Sequence, residues 1–146
     1  MIGTMSIDVI YTAEETASGG GRDGHVKSSD DRINLDTRPP KAAGGSGEGT
    51  NPEQLFAAGY ATCFLGALLL VARTGGVKLD SASGVTAQVG FGKDGDSGYG
   101  INAHMIGYLP GLGQGEADEL MAKAHQVCPY SKATRNNIDV TLSAKV

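Results

Sequence analysis

The chain has two cysteines, Cys63 and Cys128, and they are the residues whose chemistry could matter most. A thiol reacts as its thiolate, and a free thiol near pKa 8.5 is mostly protonated at neutral pH. Cys63 stands among apolar neighbours, where burial raises that pKa further and an inert small hydrophobe is the plain reading. Making it reactive takes a cation beside it. Arg22, within Gly19-Gly20-Gly21-Arg22-Asp23-Gly24, is the candidate, with a solvated turn arginine as the simpler alternative. Cys128 lies just before Pro129 and Tyr130, at the end of a helical stretch where a side chain is often accessible. Two thiols on separate helices are a candidate redox pair, although sequence distance leaves open whether they meet. Glu53 reads first as a first-turn carboxylate that favours a helix dipole.

Weaker constellations fall away on context. Gly19, Gly21 and Gly24 have the GxGxxG spacing, but a strand-like run follows where a dinucleotide site needs a helix. The run from Gly44 to Thr50 lacks the lysine of a phosphate loop. Asp94-Gly95-Asp96 opens like a calcium loop, yet no acid follows at the twelfth position. His125 and Cys128 share a helix face at i, i+3, but only His25, His104 and Cys63 remain to complete a ligand set. No metal is expected.

The elements that must hold these residues follow from periodicity and punctuation. Residues 6–17 and 25–38 read as strands, with Ile7, Val9 and Tyr11, then Ile33 and Leu35, alternating with polar neighbours. The glycines at 19–24 make the turn between them. Asn51 as cap, Pro52 at the first helical position and Glu53 in the first turn predict a helix from 52 to about 74, with Gly75 as its stop. Residues 85–91 and 101–109 read as a hairpin, 116–127 as a helix ended by Pro129, and Ile138, Val140, Leu142 and Ala144 as a last strand. This β-β-α-β-β-α-β order predicts an α+β fold, mostly antiparallel.

Composition bounds the rest. With 146 residues the chain is about one domain long, and residues 1–146 are expected to form a single one. Its 23 glycines are roughly twice the ordinary share of about 7% and cluster in loops. Twelve Lys and Arg against sixteen Asp and Glu, with no basic run, exclude a phosphate-binding footprint, so no nucleic acid partner is expected. Met1 to Tyr11 has neither a basic start nor an apolar run, so a cytoplasmic protein is expected, in which a disulfide is transient and chemical. Residues 55–72 carry no charge, at the lower edge of a membrane span of about 18 residues. Gly59, Tyr60, Thr62 and Gly66 and the flanking strands favour a buried helix instead, with no membrane partner. A helix apolar nearly all round must be covered on every side. A homodimer with central helices is therefore expected, with Ala58, Gly59, Thr62 and Gly66 as the small residues admitting a second helix.

The segment Thr50-Asn51-Pro52-Glu53-Gln54-Leu55-Phe56-Ala57-Ala58-Gly59-Tyr60-Ala61-Thr62-Cys63-Phe64 resembles the first-cysteine motif of the organic hydroperoxide resistance (Ohr) proteins of the OsmC/Ohr family. Val127-Cys128-Pro129-Tyr130-Ser131-Lys132-Ala133-Thr134-Arg135 resembles their second-cysteine motif, and Gly20-Gly21-Arg22-Asp23-Gly24 their N-terminal arginine segment. The similarity runs from about Tyr11 onward; Asn136 and Gly75-Gly76 depart from the commoner residues. The resemblance implies an OsmC/Ohr-like α+β fold, an intertwined dimer with mostly antiparallel sheets around long central helices. It implies a thiol peroxidase that reduces organic, including fatty-acid, hydroperoxides. Cys63 would be the peroxidatic cysteine, Cys128 the resolving one, Arg22 the thiolate-stabilising cation and Glu53 the carboxylate that holds Arg22. No bound cofactor is implied; dihydrolipoyl groups of lipoylated proteins would supply electrons. The rivals are an OsmC-type peroxidase of broader peroxide preference, a non-catalytic cysteine redox sensor, and a Cys/His acyl hydrolase, for which no histidine is placed near Cys63.

Overall fold

The computed structural model describes residues 6–146. The chain divides into two compact units, the first ending at Pro52 and the second running Glu53–Val146. In the first unit β1 (Glu15–Gly20) pairs antiparallel with β2 (Asp23–Ser28), which pairs antiparallel with β3 (Asn34–Asp36). Gly20 faces Asp23, so the β1–β2 hairpin turns on two residues, Gly21 and Arg22. Gly21 has φ 70°, as a glycine at the first centre of such a turn can.

Two strand expectations shift here. Residues 6–14 form no strand, and Ile7, Val9, Ile10 and Tyr11 are exposed, so their alternation matches no covered face of this chain. The second predicted strand is broken into β2 and β3 by a turn closed between Ser28 N–H and Ile33 O at 2.8 Å. Asp30 accepts from the Ser28 hydroxyl at 2.7 Å and from Arg32 N–H at 3.0 Å, and Asp31 takes φ 67°. Ser28-Ser29-Asp30-Asp31 is turn chemistry that the alternation masked.

The second unit is built on α1 (Pro52–Thr74), with the predicted bounds. Its stop is one residue later than expected. Gly76, at φ 73°, donates to Arg73 O, and Val77 N–H reaches Ala72 O at 2.8 Å, the paired bonds that close a helix end on a left-handed glycine. Next, β4 (Gly84–Lys93) and β5 (Tyr99–Tyr108) pair antiparallel over their whole length, longer than the sequence pattern indicated. Then come α2 (Gln114–Val127), a short α3 (Pro129–Thr134) and β6 (Val140–Lys145), which lies parallel to β5. Pro129 does end α2, but it also opens α3 at the first helical position, where its missing N–H costs nothing. Among the described residues the result is α+β, with two three-stranded sheets and one parallel pairing of strands.

One face of α1, through Tyr60, Phe64, Ala67, Leu68 and Ala72, joins Ala103 and Met105 of β5 and Ala117, Leu120, Met121 and Ala124 of α2 in the core. Cys128 is part of the same cluster and wholly buried. The rest of α1 is only partly covered within its unit, and Leu69 and Leu70 are exposed. With mean hydropathy 2.1, α1 is also the one helix among the described residues long and apolar enough to cross a membrane.

Candidate active site

Cys63 projects from the middle of α1, and Cys128 occupies the joint between α2 and α3. The packing of α1 with α2 and α3 brings them together: the Cys128 thiol donates to Cys63 Sγ at 3.5 Å. Both are free thiols. A disulfide needs the sulfurs about 1.5 Å closer, at about 2.05 Å, a small movement for two side chains already aimed at each other. Cys63 is half-buried and Cys128 buried, so the first is the one a reagent meets.

Within this unit Cys63 is held as a thiol. Burial pushes its pKa up, and the neighbouring Cys128 adds to the rise. The backbone N–H of Tyr130, which donates to the Cys63 sulfur, pulls the other way. That amide comes from the first turn of α3, so the placement of α3 bears directly on the sulfur.

Aromatic rings share the core that contains Cys128 and that Cys63 packs against. Phe56, Tyr60 and Tyr130 lie with ring centroids 6.0, 6.3 and 5.8 Å apart. Gly59 makes room for the Tyr130 ring: a methyl group there would meet the Tyr130 hydroxyl at 2.9 Å and the ring at 3.1 Å. The space expected to admit a second helix at Gly59 is filled by this chain's own tyrosine. Thr62 turns its hydroxyl back to Ala58 O at 2.8 Å, while a methyl at Gly66 would have nothing within 4 Å.

Behind the rings lies a polar group that sequence reading missed. The Tyr60 hydroxyl is 2.9 Å from Ser131 Oγ and 3.1 Å from Thr134 Oγ1, and His125 Nδ1 is 2.7 Å from Ser131 Oγ. Tyr60, Ser131 and Thr134 are buried. Burial, with Arg135 nearby, holds the His125 pKa below its ordinary value, so the ring is neutral at neutral pH. Arg135 Nη2 donates to His125 O at 2.7 Å. The histidine weighed as a metal ligand is thus engaged by a serine. Among the described residues no group of three or more His, Cys, Asp or Glu is placed to hold a metal ion.

Arg22 lies at the β1–β2 turn and Glu53 in the first turn of α1. The Arg22 turn is fastened within its own unit. Thr37 Oγ1 donates to Gly21 O at 2.6 Å and accepts from Gly24 N–H at 2.8 Å. Arg38 Nη1 donates to Gly24 O at 2.9 Å. The turn's backbone is therefore held on both sides of Arg22.

The described residues thus form an α+β fold with two free thiols in contact, one of them in the middle of its long apolar helix. Residues 45–143 match the OsmC-like protein family. The chain is 48% identical over 136 residues to an organic hydroperoxide resistance protein of Xanthomonas axonopodis pv. citri, covering 92% of this chain and 94% of that one. It is 45% identical over 137 residues to organic hydroperoxide resistance protein OhrB of Bacillus subtilis, covering 93% and 98%. The crystal structure of that OhrB superposes with TM-score 0.84, covering 94% of this chain and 100% of the other at 46% identity. An organic hydroperoxide resistance protein from Legionella pneumophila gives TM-score 0.88 at 43% identity, covering 95% and 100%. The chain belongs to the OsmC/Ohr family.

Proposed function

We propose that this protein is a cysteine peroxidase that reduces organic hydroperoxides, including those of fatty acids, to alcohols. The observation that carries the reading is the 3.5 Å contact of Cys63 with Cys128, on the helices that hold both cysteine motifs. The Cys63 thiolate attacks the terminal peroxide oxygen. The O–O bond breaks, the alkoxide leaves and takes a proton as the alcohol, and Cys63 becomes a sulfenic acid. The Cys128 thiolate then attacks the Cys63 sulfur, hydroxide leaves and takes a proton as water, and a disulfide remains. A dithiol reopens it by two exchange steps that return two electrons. The proposed donor is the dihydrolipoyl group of a lipoylated protein, with no bound cofactor.

The thiolate needs help that its own unit does not supply, because burial raises the Cys63 pKa there. We assign that help to Arg22, whose charge favours the thiolate, and to Glu53, which orients the guanidinium through charge-assisted hydrogen bonds. Glu53 and Cys63 are about 15 Å apart along one helix, at about 1.5 Å per residue. A network joining Glu53, Arg22 and Cys63 is therefore easier to build across two chains with antiparallel central helices. The partly covered face of α1, with Leu69 and Leu70 exposed, supports such a homodimer. In this proposal residues 1–146 act as one domain and the protein is cytoplasmic. Phe56 and Leu65, half-buried beside the core, are proposed to receive the alkyl tail.

The test is hydroperoxide consumption with dihydrolipoamide as reductant, comparing cumene hydroperoxide with hydrogen peroxide. Turnover of the organic peroxide, abolished by Cys63→Ser, is expected. Equal turnover of hydrogen peroxide would favour the broader OsmC-type peroxidase. Oxidation without turnover would favour a redox sensor, and turnover retained by Cys63→Ser would overturn the assignment.

A further inference from the structure

The proton count of the buried polar group decides which way its hydrogen bonds run. The Thr134 hydroxyl donates its one proton to Ser131 O at 3.2 Å. In the 3.1 Å contact with Tyr60, Thr134 Oγ1 must then accept, so the Tyr60 proton is used there. In the 2.9 Å contact of Tyr60 with Ser131 the tyrosine oxygen must accept, so Ser131 gives its proton to Tyr60. With that proton spent, Ser131 Oγ can only accept from His125 Nδ1 at 2.7 Å. All four bonds are satisfied together only when His125 carries hydrogen on Nδ1. The low His125 pKa makes the ring neutral, with Nε2 bare.

The chain of bonds also has a mechanical direction. It starts at His125 in α2, crosses Ser131 and Thr134 in α3 and ends at Tyr60 in α1. Between its anchors lie both groups that touch the Cys63 sulfur, the Cys128 thiol and the Tyr130 N–H. A six-residue helix such as α3 has no stability of its own, so its place depends on what it is bonded to.

We propose that His125 is a positioning residue of the thiol pair: its Nδ1–H donates to Ser131 and holds α3, with Cys128 and the Tyr130 amide, against Cys63. The step it serves is closure of the disulfide, in which a displacement of about 1 Å costs up to about a hundredfold in rate. His125 touches neither sulfur and exchanges no proton with substrate. The inference rests on Cys63 and Cys128 being the working pair, and it holds whichever oxidant they meet.

Two measurements on the full-length reduced protein test it. In the side-chain 15N spectrum at pH 7.5, His125 is expected to show a protonated Nδ1 and a bare Nε2; the opposite tautomer would overturn the proposal. The second measurement is disulfide closure by diamide, which bypasses peroxide. The Cys63 thiolate adds to its N=N bond, and Cys128 displaces the hydrazine to leave the disulfide. Loss of the His125 bond in His125→Leu is expected to slow closure about tenfold. His125→Asn, which offers an N–H near the place of Nδ1, should stay within about twofold of the unaltered protein. Equal rates in the Leu and Asn variants would overturn the proposal. Absence of hydroperoxide turnover with these ratios intact would sink the peroxidase reading and leave this one standing.

Discussion

Replacing Tyr60 with Phe removes a single oxygen from the interior of the second unit while leaving the ring in place. That oxygen makes two contacts, 2.9 Å to Ser131 and 3.1 Å to Thr134, and all three side chains are buried. Ser131 then has a proton with no acceptor unless His125 changes tautomer, and Thr134 loses a donor. Leaving a buried polar group unsatisfied costs about 1–3 kcal/mol, so the loss for the pair is about 2–3 kcal/mol. For a protein of this size each kcal/mol lowers Tm by about 2–4 °C, which sets an expected fall of about 5–10 °C. Calorimetry of the reduced protein reads it, and the diamide rate on the same sample should fall, because α3 loses its anchor on α1. A Tm within about 1 °C of the unaltered protein would show that the hydroxyl is not bonded as described, and the polar chain would fall with it.

Gly59→Ala should separate stability from chemistry. A helix interior gains about 0.8–1.0 kcal/mol from the exchange, but the new methyl meets the Tyr130 hydroxyl at 2.9 Å. Tyr130 is exposed enough to swing outward, so denaturant unfolding should show stability within about 0.5 kcal/mol of the parent while disulfide closure slows several-fold. Unchanged closure would mean that the ring's seat does not matter to the sulfur pair. The two perturbed histidines should oppose each other in pH. The folded chain holds His125 below the ordinary value near 6.5, so the unfolded chain binds more protons and this contribution is lost as pH falls through about 6.5. His25 is raised, first by its hydrogen bond to Asp36 and then by Asn34, so its contribution is present below about 6.5 and lost as pH rises through the folded value. In Tm measured at pH 5.5 and 7.5, His25→Asn should therefore steepen the loss on acidification, and His125→Asn should flatten it.

What could be read from the sequence was local and punctuated. Pro52 and Glu53 mark the start of α1, and the glycine pair after Thr74 marks its end, because such signals act through neighbouring backbone alone. The strand expected over residues 6–17 formed only at 15–17, where β1 begins, because alternation predicts a half-covered strand, and Ile7, Val9 and Tyr11 meet no cover in this chain. The short α3 was hidden because Pro129 stops one helix and starts another with the same fixed φ. Cys63 and Cys128 stood out by residue type and motif, but their contact depends on how α2 and α3 pack on α1. Nothing in the local pattern marked Tyr60, Ser131 and His125 as partners. A tyrosine in an apolar helix reads as core, a serine after Tyr130 as a surface residue, and only tertiary packing joins them.

The central claim is that Cys63 and Cys128 together turn an organic hydroperoxide into an alcohol. Peptide mass analysis after one equivalent of cumene hydroperoxide, with the alcohol quantified in the same sample, tests it most directly. One Cys63–Cys128 disulfide and one alcohol per chain is the expected result, with dihydrolipoamide returning both thiols and a second equivalent of peroxide then yielding a second alcohol. Unconsumed peroxide with both thiols intact, or a disulfide formed without an equivalent of alcohol, would contradict the account.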